Sequence, residues 1–317
     1  MHQKNFQGVT LLEDRLLLPY VVLQTFPEGL LPEKVEIGFL DSPFQLPPEL
    51  AEYKERIMKG RQAEAEKAGR VLFDGKLVRL VDYFPNDDEG SLKLIVQPTT
   101  FFAHTASNKA LEDAIDELGG KSPMQFYGLK PKELGDMLAN PIGVNSVLVT
   151  KDDYVIIIER SGKLSQYPGL YGIPAGFMNP DDKTVHATGY REIREEVGNF
   201  GAEIRLIEIG RALDDLHVEV NMMGRIDESR SRIEEAITKS EWESRGKYFL
   251  HFNPRDCAKY LAVTINSIPS NVPPSNWILG KSPKWVPAHH RALYLALAKE
   301  YGPGDVNKEL NSALLSR

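Results

Sequence analysis

Residues 191–198 read Arg-Glu-Ile-Arg-Glu-Glu-Val-Gly, and this octet limits what the chain can be more than any other stretch. It follows a glycine-proline turn, Gly172-Ile173-Pro174-Ala175-Gly176-Phe177. Read as a helix, the octet sets Glu192, Glu195 and Glu196 at i, i+3 and i+4. At about 100° per residue the three carboxylates then share roughly a third of the circumference. Like charges at that spacing repel, so such a helix needs a cation to neutralise them. Clustered hard oxygens suit Mg²⁺ or Mn²⁺, which keep several waters and accept phosphate oxygens in the remaining positions. The competing reading is a solvated acidic face with Lys or Arg partners. Three neighbours favour the metal. Gly198 closes the segment as a C-cap residue. The Gly-rich turn supplies the small residues a phosphate-facing loop needs. Asp181 and Asp182 stand near the expected helix start, where caps and the dipole favour acids.

These residues resemble the box of the Nudix hydrolases, which runs Gly, five residues, Glu, seven residues, Arg-Glu, an aliphatic, any residue, Glu-Glu, any residue, Gly. Gly176 fills the first glycine, and Arg191, Glu192, Ile193, Glu195, Glu196 and Gly198 fill the second half. Asp182 stands where the first Glu is expected, and the spacer from it to Arg191 is one residue longer than the pattern. The resemblance implies an α/β/α sandwich with a mixed β-sheet. It implies Glu192, Glu195 and Glu196 as ligands for Mg²⁺ or Mn²⁺, and Gly176 in the substrate-binding loop. Arg191 would hold helix and loop in register through an ion pair, here with Asp182.

Leu138-Ala139-Asn140-Pro141-Ile142-Gly143-Val144, Glu159-Arg160-Ser161, Gly169-Leu170 and Leu72-Phe73-Asp74 resemble one branch of that family, the UDP-glucose/UDP-galactose pyrophosphatases. That branch implies cleavage of a nucleoside diphosphate-sugar to a nucleoside monophosphate and a sugar 1-phosphate. Two alternatives stand beside it. One is hydrolysis of ADP-ribose or another dinucleotide. The other is a Nudix-fold sensor that binds a nucleotide without cutting it, a class that usually loses box carboxylates; all three remain here.

The general base is either a box carboxylate or a Glu on a later loop. Glu243 is the candidate there, with Glu241 as its rival, and both also read as plain loop acids. Arg160 follows an apolar strand and could fork onto a phosphate; a surface arginine is the alternative. Tyr167, Tyr171 and Phe177 flank the turn as stacking or packing residues. His289 and His290 are adjacent and diverge on a helix, which argues against a shared metal. His104 and His251 read as packing or surface residues, and nothing around Cys257 marks a nucleophile.

The chain has 317 residues, enough for two domains, with 42% hydrophobic content and a net charge of −7. An acidic balance argues against nucleic acid as a partner, which calls for a basic face. The single cysteine excludes an internal disulfide and a Cys-based zinc site. With no apolar leader in the first residues and Pro19 breaking the run from Leu16 to Leu23, the expectation is a cytoplasmic protein without a membrane partner. An α+β N-terminal domain is expected over 1–140, as a substrate cover or homodimer surface, followed by the Nudix domain over 141–317. In the first, helices are expected at 50–70, 109–118 and 132–138, with strands at 70–84 and 91–103. In the second, β-branched runs at 146–150 and 154–159 flank a Lys151-Asp152-Asp153 hairpin. Strands at 202–210, 216–225 and 247–252 and helices at 234–239, 256–263 and 286–301 follow.

Overall fold

The computed structural model describes residues 20–67, 74–130, 134–161, 169–212, 215–235, 244–261 and 285–315. Ahead of residue 140 lie β1 (Tyr20–Leu30), β2 (Val35–Phe39), α1 (Pro48–Lys67), β3 (Lys76–Asn86), β4 (Ser91–Thr100), α2 (Phe101–Ala106) and α3 (Pro123–Tyr127). Then come β5 (Ile142–Thr150), β6 (Tyr154–Arg160), β7 (Tyr171–Gly172), β8 (Ala175–Phe177) and α4 (Val185–Glu192). The rest is β9 (Ala202–Ala212), β10 (Val218–Ile226), α5 (Arg230–Glu234), β11 (Ser244–His251), α6 (Pro254–Leu261), α7 (Pro287–Tyr301) and α8 (Pro303–Leu315).

The large sheet runs β1-β9-β10-β5-β6-β11, with β7 beside β6 and β8 beside β5. Its β5–β10 pair is parallel and the others are antiparallel, so the sheet is mixed. Every residue of β5 is buried, because both faces of the sheet are covered. On one face Val144 and Leu148 pack with Val185, Ile193 and Val197 of the acidic helical segment. On the other, Val147 and Val149 meet Cys257 and Leu261 of α6 and Leu293 and Leu297 of α7. The result is the helix–sheet–helix sandwich that the resemblance implied. The turn between β5 and β6 is tight because Asp153 adopts φ 59°, a left-handed conformation an Asp tolerates.

The N-terminal portion is joined to this sheet through main chain and core. β1 is the edge strand beside β9. A three-stranded sheet, β2-β4-β3, lies against the same core, where Val78, Leu80 and Leu94 join the Val144 cluster. β3 also reaches the site segment: the Val78 N–H donates to Met178 O at 3.0 Å and the Leu80 N–H to Asn140 O at 3.1 Å.

Two expected helices do not form among the described residues, which leave out 132 and 133. Residues 109–118 are turns ending in a short 3₁₀ segment, Asp116–Leu118. Asn108, just ahead, uses its side chain to receive the Asn140 N–H at 2.9 Å and to donate to Asp215 O at 3.0 Å. Such side-chain bonds compete with helix formation. Residues 134–138 form a turn capped by the Asn140 amide, which donates to Gly135 O at 3.1 Å. Of the helix expected at 234–239, Glu234 is the last residue of α5 and Glu235 its C-cap, and 236–239 lie outside the described residues. No helix among the described residues is long and apolar enough to cross a membrane.

Candidate active site

The Gly-Pro turn is held against β5. Gly176 pairs with Val144 and Ala175 with Asn145, and Pro174 O accepts the Ser146 N–H at 2.9 Å. α4 starts at Thr184, whose hydroxyl accepts the Ala187 N–H at 3.0 Å. The cap is therefore Thr184, and neither Asp181 nor Asp182 takes it. Asp182 receives a fork from Arg191 instead, from Nε at 2.9 Å and Nη2 at 3.0 Å. The Asn179 N–H and the Thr188 hydroxyl complete its shell, each at 3.0 Å. Arg191 Nη2 also donates to Phe177 O at 2.9 Å, so one guanidinium ties the helix to both ends of the loop. Burial works against the Asp182 carboxylate, but the Arg191 fork and the other donors outweigh it and hold its pKa below the usual range. Burial likewise opposes the Arg191 charge, and Asp182 and Glu192 more than compensate.

From Ile193 to Val197 the helix widens to a π turn, closed by Gly198 N–H to Ile193 O at 3.0 Å. Gly198 stands at φ 140°, and it ends the segment as the sequence suggested. The wider turn splits the expected acidic stripe. Glu192 and Glu196 are buried, 6% and 7% exposed, whereas the Glu195 side chain is 52% exposed and lies 3.4 Å from Arg191 Nη1. Glu196 Oε2 accepts the Ala175 N–H at 2.9 Å. Glu192 Oε1 accepts from Arg191 Nη1 at 2.5 Å, and its carboxylate fills the space a Cβ on Gly176 would take. Among the described residues no three His, Cys, Asp or Glu side chains converge tightly enough in this arrangement to hold an ion. The donor chemistry nonetheless fits a hard divalent cation. Two near-buried carboxylates press on a glycine-bearing loop, with a third acid on the rim. Lys247 of β11 fixes the end of this segment by donating to Val197 O at 3.1 Å, and burial lowers its pKa against the pull of Glu196.

A cleft of about 110 Å³ opens beside Gly176, and Gly143, Asn145, Glu219, Arg160 and His289 line it. Its polar wall is a buried chain of bonds. His217 is clamped through Nδ1 by Asp215 and through Nε2 by Glu219 Oε1, the latter at 2.5 Å. Glu219 Oε2 accepts from Asn145 Nδ2 at 2.8 Å, and the same amide reaches Asn221 Oδ1 at 3.0 Å. Asn221 donates to Glu208 at 3.2 Å, and Arg291 of α7 completes the chain on Glu208 Oε2 at 2.6 Å. Burial alone would strip the His217 proton; Asp215 and Glu219 reverse that and raise its pKa well above an ordinary histidine's. Burial also disfavours the Asp215 charge, yet His217 and His104 pull its pKa down to about 2. The Phe177 ring, which also lines the cleft, meets His104 and His217 in T-shaped contacts with centroids 5.4 and 5.6 Å away.

The structure thus brings Arg191, Glu192, Glu196 and Gly176 together and leaves Glu195 at the rim. Arg160 lines the cleft. Glu243, Glu241 and Tyr167 lie outside the described residues. Tyr171 packs edge-on with Tyr248 at 5.6 Å. His104 and His251 are packing residues: burial drives the first down to about 3, and the second stacks on Tyr154 at 4.1 Å. Cys257 is buried, with its thiol pushed up to about 12, which makes it inert. His290 bonds Leu261 O at 2.8 Å, away from the cleft, whereas His289 lines the cleft itself. The two rings therefore diverge, as their adjacency on a helix suggested. Sequence reasoning passed over Asn145, His217 and Glu219. A signal existed: His217, Glu219 and Asn221 alternate with Val218, Val220 and Met222 at period two, which puts polar groups on one face where the chain enters β10.

Residues 139–233 match the family described as NUDIX domain. Nudix hydrolase 9 of Arabidopsis thaliana is 24% identical over 183 residues, which cover 56% of this chain and 55% of that protein. Uridine diphosphate glucose pyrophosphatase NUDT22 of Bos taurus is 42% identical over 43 residues, 14% of this chain and 15% of that one. The chain therefore spans about half the length of the first relative and far less of the second. Among solved structures, the MutT protein from Methanosarcina mazei Go1 is similar at 17% identity and a TM-score of 0.26, over 35% of this chain and 77% of its own. DR0079 from Deinococcus radiodurans is similar at 17% identity and a TM-score of 0.30, over 38% and 72%.

Proposed function

We infer that this chain, which carries a NUDIX domain, is a divalent-metal-dependent pyrophosphohydrolase that cleaves a nucleoside diphosphate-sugar of the UDP-glucose or UDP-galactose type. Water adds to one phosphorus, the bond from that phosphorus to the bridging oxygen breaks, and the products are the nucleoside monophosphate and the sugar 1-phosphate. One observation carries the reading. The Asp182–Arg191 fork locks the loop to the helix and holds two buried carboxylates, Glu192 and Glu196, against Gly176 and Ala175 at the edge of a cleft.

In this reading Glu192, Glu195 and Glu196 would hold Mg²⁺ or Mn²⁺, which would supply charge neutralisation of the diphosphate and acidify a bound water. The chain's own residues do the positioning. Arg191 keeps the Glu192 and Glu196 carboxylates beside the loop. Gly176 leaves room for the Glu192 carboxylate. Arg160 offers a planar guanidinium to phosphate oxygens from the end of β6. The Asn145–Glu219–His217 wall fixes the cleft's polar side, so little reorganisation is needed as charge develops. Glu243, which directly precedes β11 in sequence, is our candidate general base. The short likeness to the uridine diphosphate glucose pyrophosphatase supports the sugar-nucleotide choice.

The test is to incubate purified protein with Mg²⁺ or Mn²⁺ and either UDP-glucose or ADP-ribose, and to quantify UMP and AMP. UDP-glucose should turn over faster. Glu196→Gln should lower kcat by orders of magnitude while leaving the fold intact. Faster release of AMP would move the substrate to ADP-ribose, and no hydrolysis of either would favour a binding protein.

A further inference from the structure

We propose that His289, on α7, is a substrate-positioning residue that donates its Nε2–H to a phosphoryl oxygen of the bound diphosphate. The proposal rests on the hydrolase reading above and adds a residue from outside the matched segment 139–233. Its starting point is a bond that fixes the ring. His289 Nδ1 accepts the Ile173 backbone N–H at 3.1 Å. A nitrogen that accepts has a free lone pair and no proton, so the imidazole's one proton sits on Nε2. His289 lines the cleft, and with Nδ1 engaged on the main chain the polar group its ring has left to offer is the Nε2–H donor.

The surroundings keep it so. His289 is 5% exposed, and burial together with the charges of Arg160 and His217 holds its pKa well below the ordinary value. Glu219, the nearby acid facing the same cleft, is bonded to His217 and Asn145. Protonating Nδ1 would also break the bond to Ile173. The ring approaches the main chain so closely that a Cβ on Gly172 would overlap it, which gives that glycine in the Gly-Pro turn a reason to be one. An N–H donor of fixed charge state and the Arg160 guanidinium line one cleft next to the loop that carries Gly176. Two kinds of donor and no accepting ring nitrogen suit an anionic oxygen, and the phosphoryl oxygens of a diphosphate are such acceptors.

Two arms test this on the full-length chain. In the first, protein labelled with ¹⁵N-histidine is followed by NMR, with His289→Asn identifying the signals. Between about pH 5.5 and 8, where an ordinary histidine titrates, His289 should stay neutral and protonated on Nε2. Inorganic pyrophosphate with Mg²⁺ should shift the Nε2–H signal saturably. A proton on Nδ1, a charged ring near pH 6, or no shift at saturating pyrophosphate overturns the proposal. In the second arm, His289→Asn keeps an oxygen close to where Nδ1 stood, so Ile173 retains its acceptor while the cleft loses its donor. KM for UDP-glucose should rise roughly tenfold with kcat within about twofold, the size of one lost hydrogen bond to a charged oxygen. An unchanged KM in a variant that melts like the wild type overturns the proposal and leaves the hydrolase reading standing. Should the variant melt early, the wild-type NMR titration decides. Should the wild type hydrolyse neither nucleotide, the hydrolase reading falls, and the pyrophosphate titration alone decides His289.

Discussion

Asp182 shows how much of the site hangs on a single carboxylate. It is 9% exposed and receives four donors: two from Arg191, one from the Asn179 amide and one from the Thr188 hydroxyl. Asp182→Ala leaves all four short of a partner at once. The expected cost is about 2–3 kcal/mol in urea unfolding, the range for bonds to a charged group, together with a large loss of hydrolysis as Arg191 lets go of the loop. Full activity and stability in that variant would mean that the fork holds nothing. The Asp215–His217 pair makes a second residue-scale prediction, about pH. The folded pKa of His217 is raised, so its contribution is fully present below the unfolded value, about 6.5, and is lost as pH rises through the folded value. The folded pKa of Asp215 is lowered to about 2, so its contribution is present above the unfolded value, about 3.9, and is lost as pH falls toward 2. Melting temperature against pH should therefore have a shoulder between those limits and decline on the alkaline side. His217→Gln should flatten that decline, and an unaltered alkaline slope in the variant would show that the histidine is not charged in the fold.

At the scale of elements, the widened turn after α4 decides which acids face inward. A regular helix would have kept Glu195 and Glu196 adjacent on one stripe. The π turn instead buries Glu196 beside Ala175 and leaves Glu195 at the rim. The last carbonyls of that turn need partners, and Lys247 supplies one at Val197 O. Lys247→Met should cost about 1 kcal/mol and slow hydrolysis by loosening the turn that carries Glu196; equal urea midpoints would show that the contact is incidental. How much of this was legible in sequence follows from where the information sits. The loop, the octet and Asp182 could be read because the bonds that join them span 9 to 21 residues, at spacings that a turn and a helix fix. The π turn could not, since the same residues also fit a regular helix. The polar face of β10 carried a period-two signal, but its meaning depends on α7, some seventy residues downstream, which brings Arg291 and His289 over it. The helix expected at 109–118 failed because Asn108 spends its side chain on Asn140 and Asp215, partners that no local window contains.

On the scale of the whole molecule, the expected boundary near residue 140 runs through shared structure. β1 covers the β9 edge of the large sheet, which would otherwise present unpaired main-chain groups. β3 donates to Asn140 and Met178, so the N-terminal portion is bonded directly to the segment that carries the Gly-Pro turn. Val78, Leu80, Leu94 and Val96 sit in one cluster with Val144, Val185 and Ile193, which means that the small sheet and the acidic helix rest on the same core. We therefore expect the two portions to melt as a unit. Leu94, on β4, is fully buried there and far in sequence from the acids. Leu94→Ala should cost about 2–5 kcal/mol through lost burial and the cavity it leaves. Because the core is shared, the whole transition should move to lower temperature as one peak, with hydrolysis lost along it and the calorimetric and van't Hoff enthalpies staying equal. A new early peak that leaves hydrolysis intact would instead show that the N-terminal portion can open while the NUDIX domain stands. Its role would then be a cover that comes and goes, and the boundary at 140 would be a real seam.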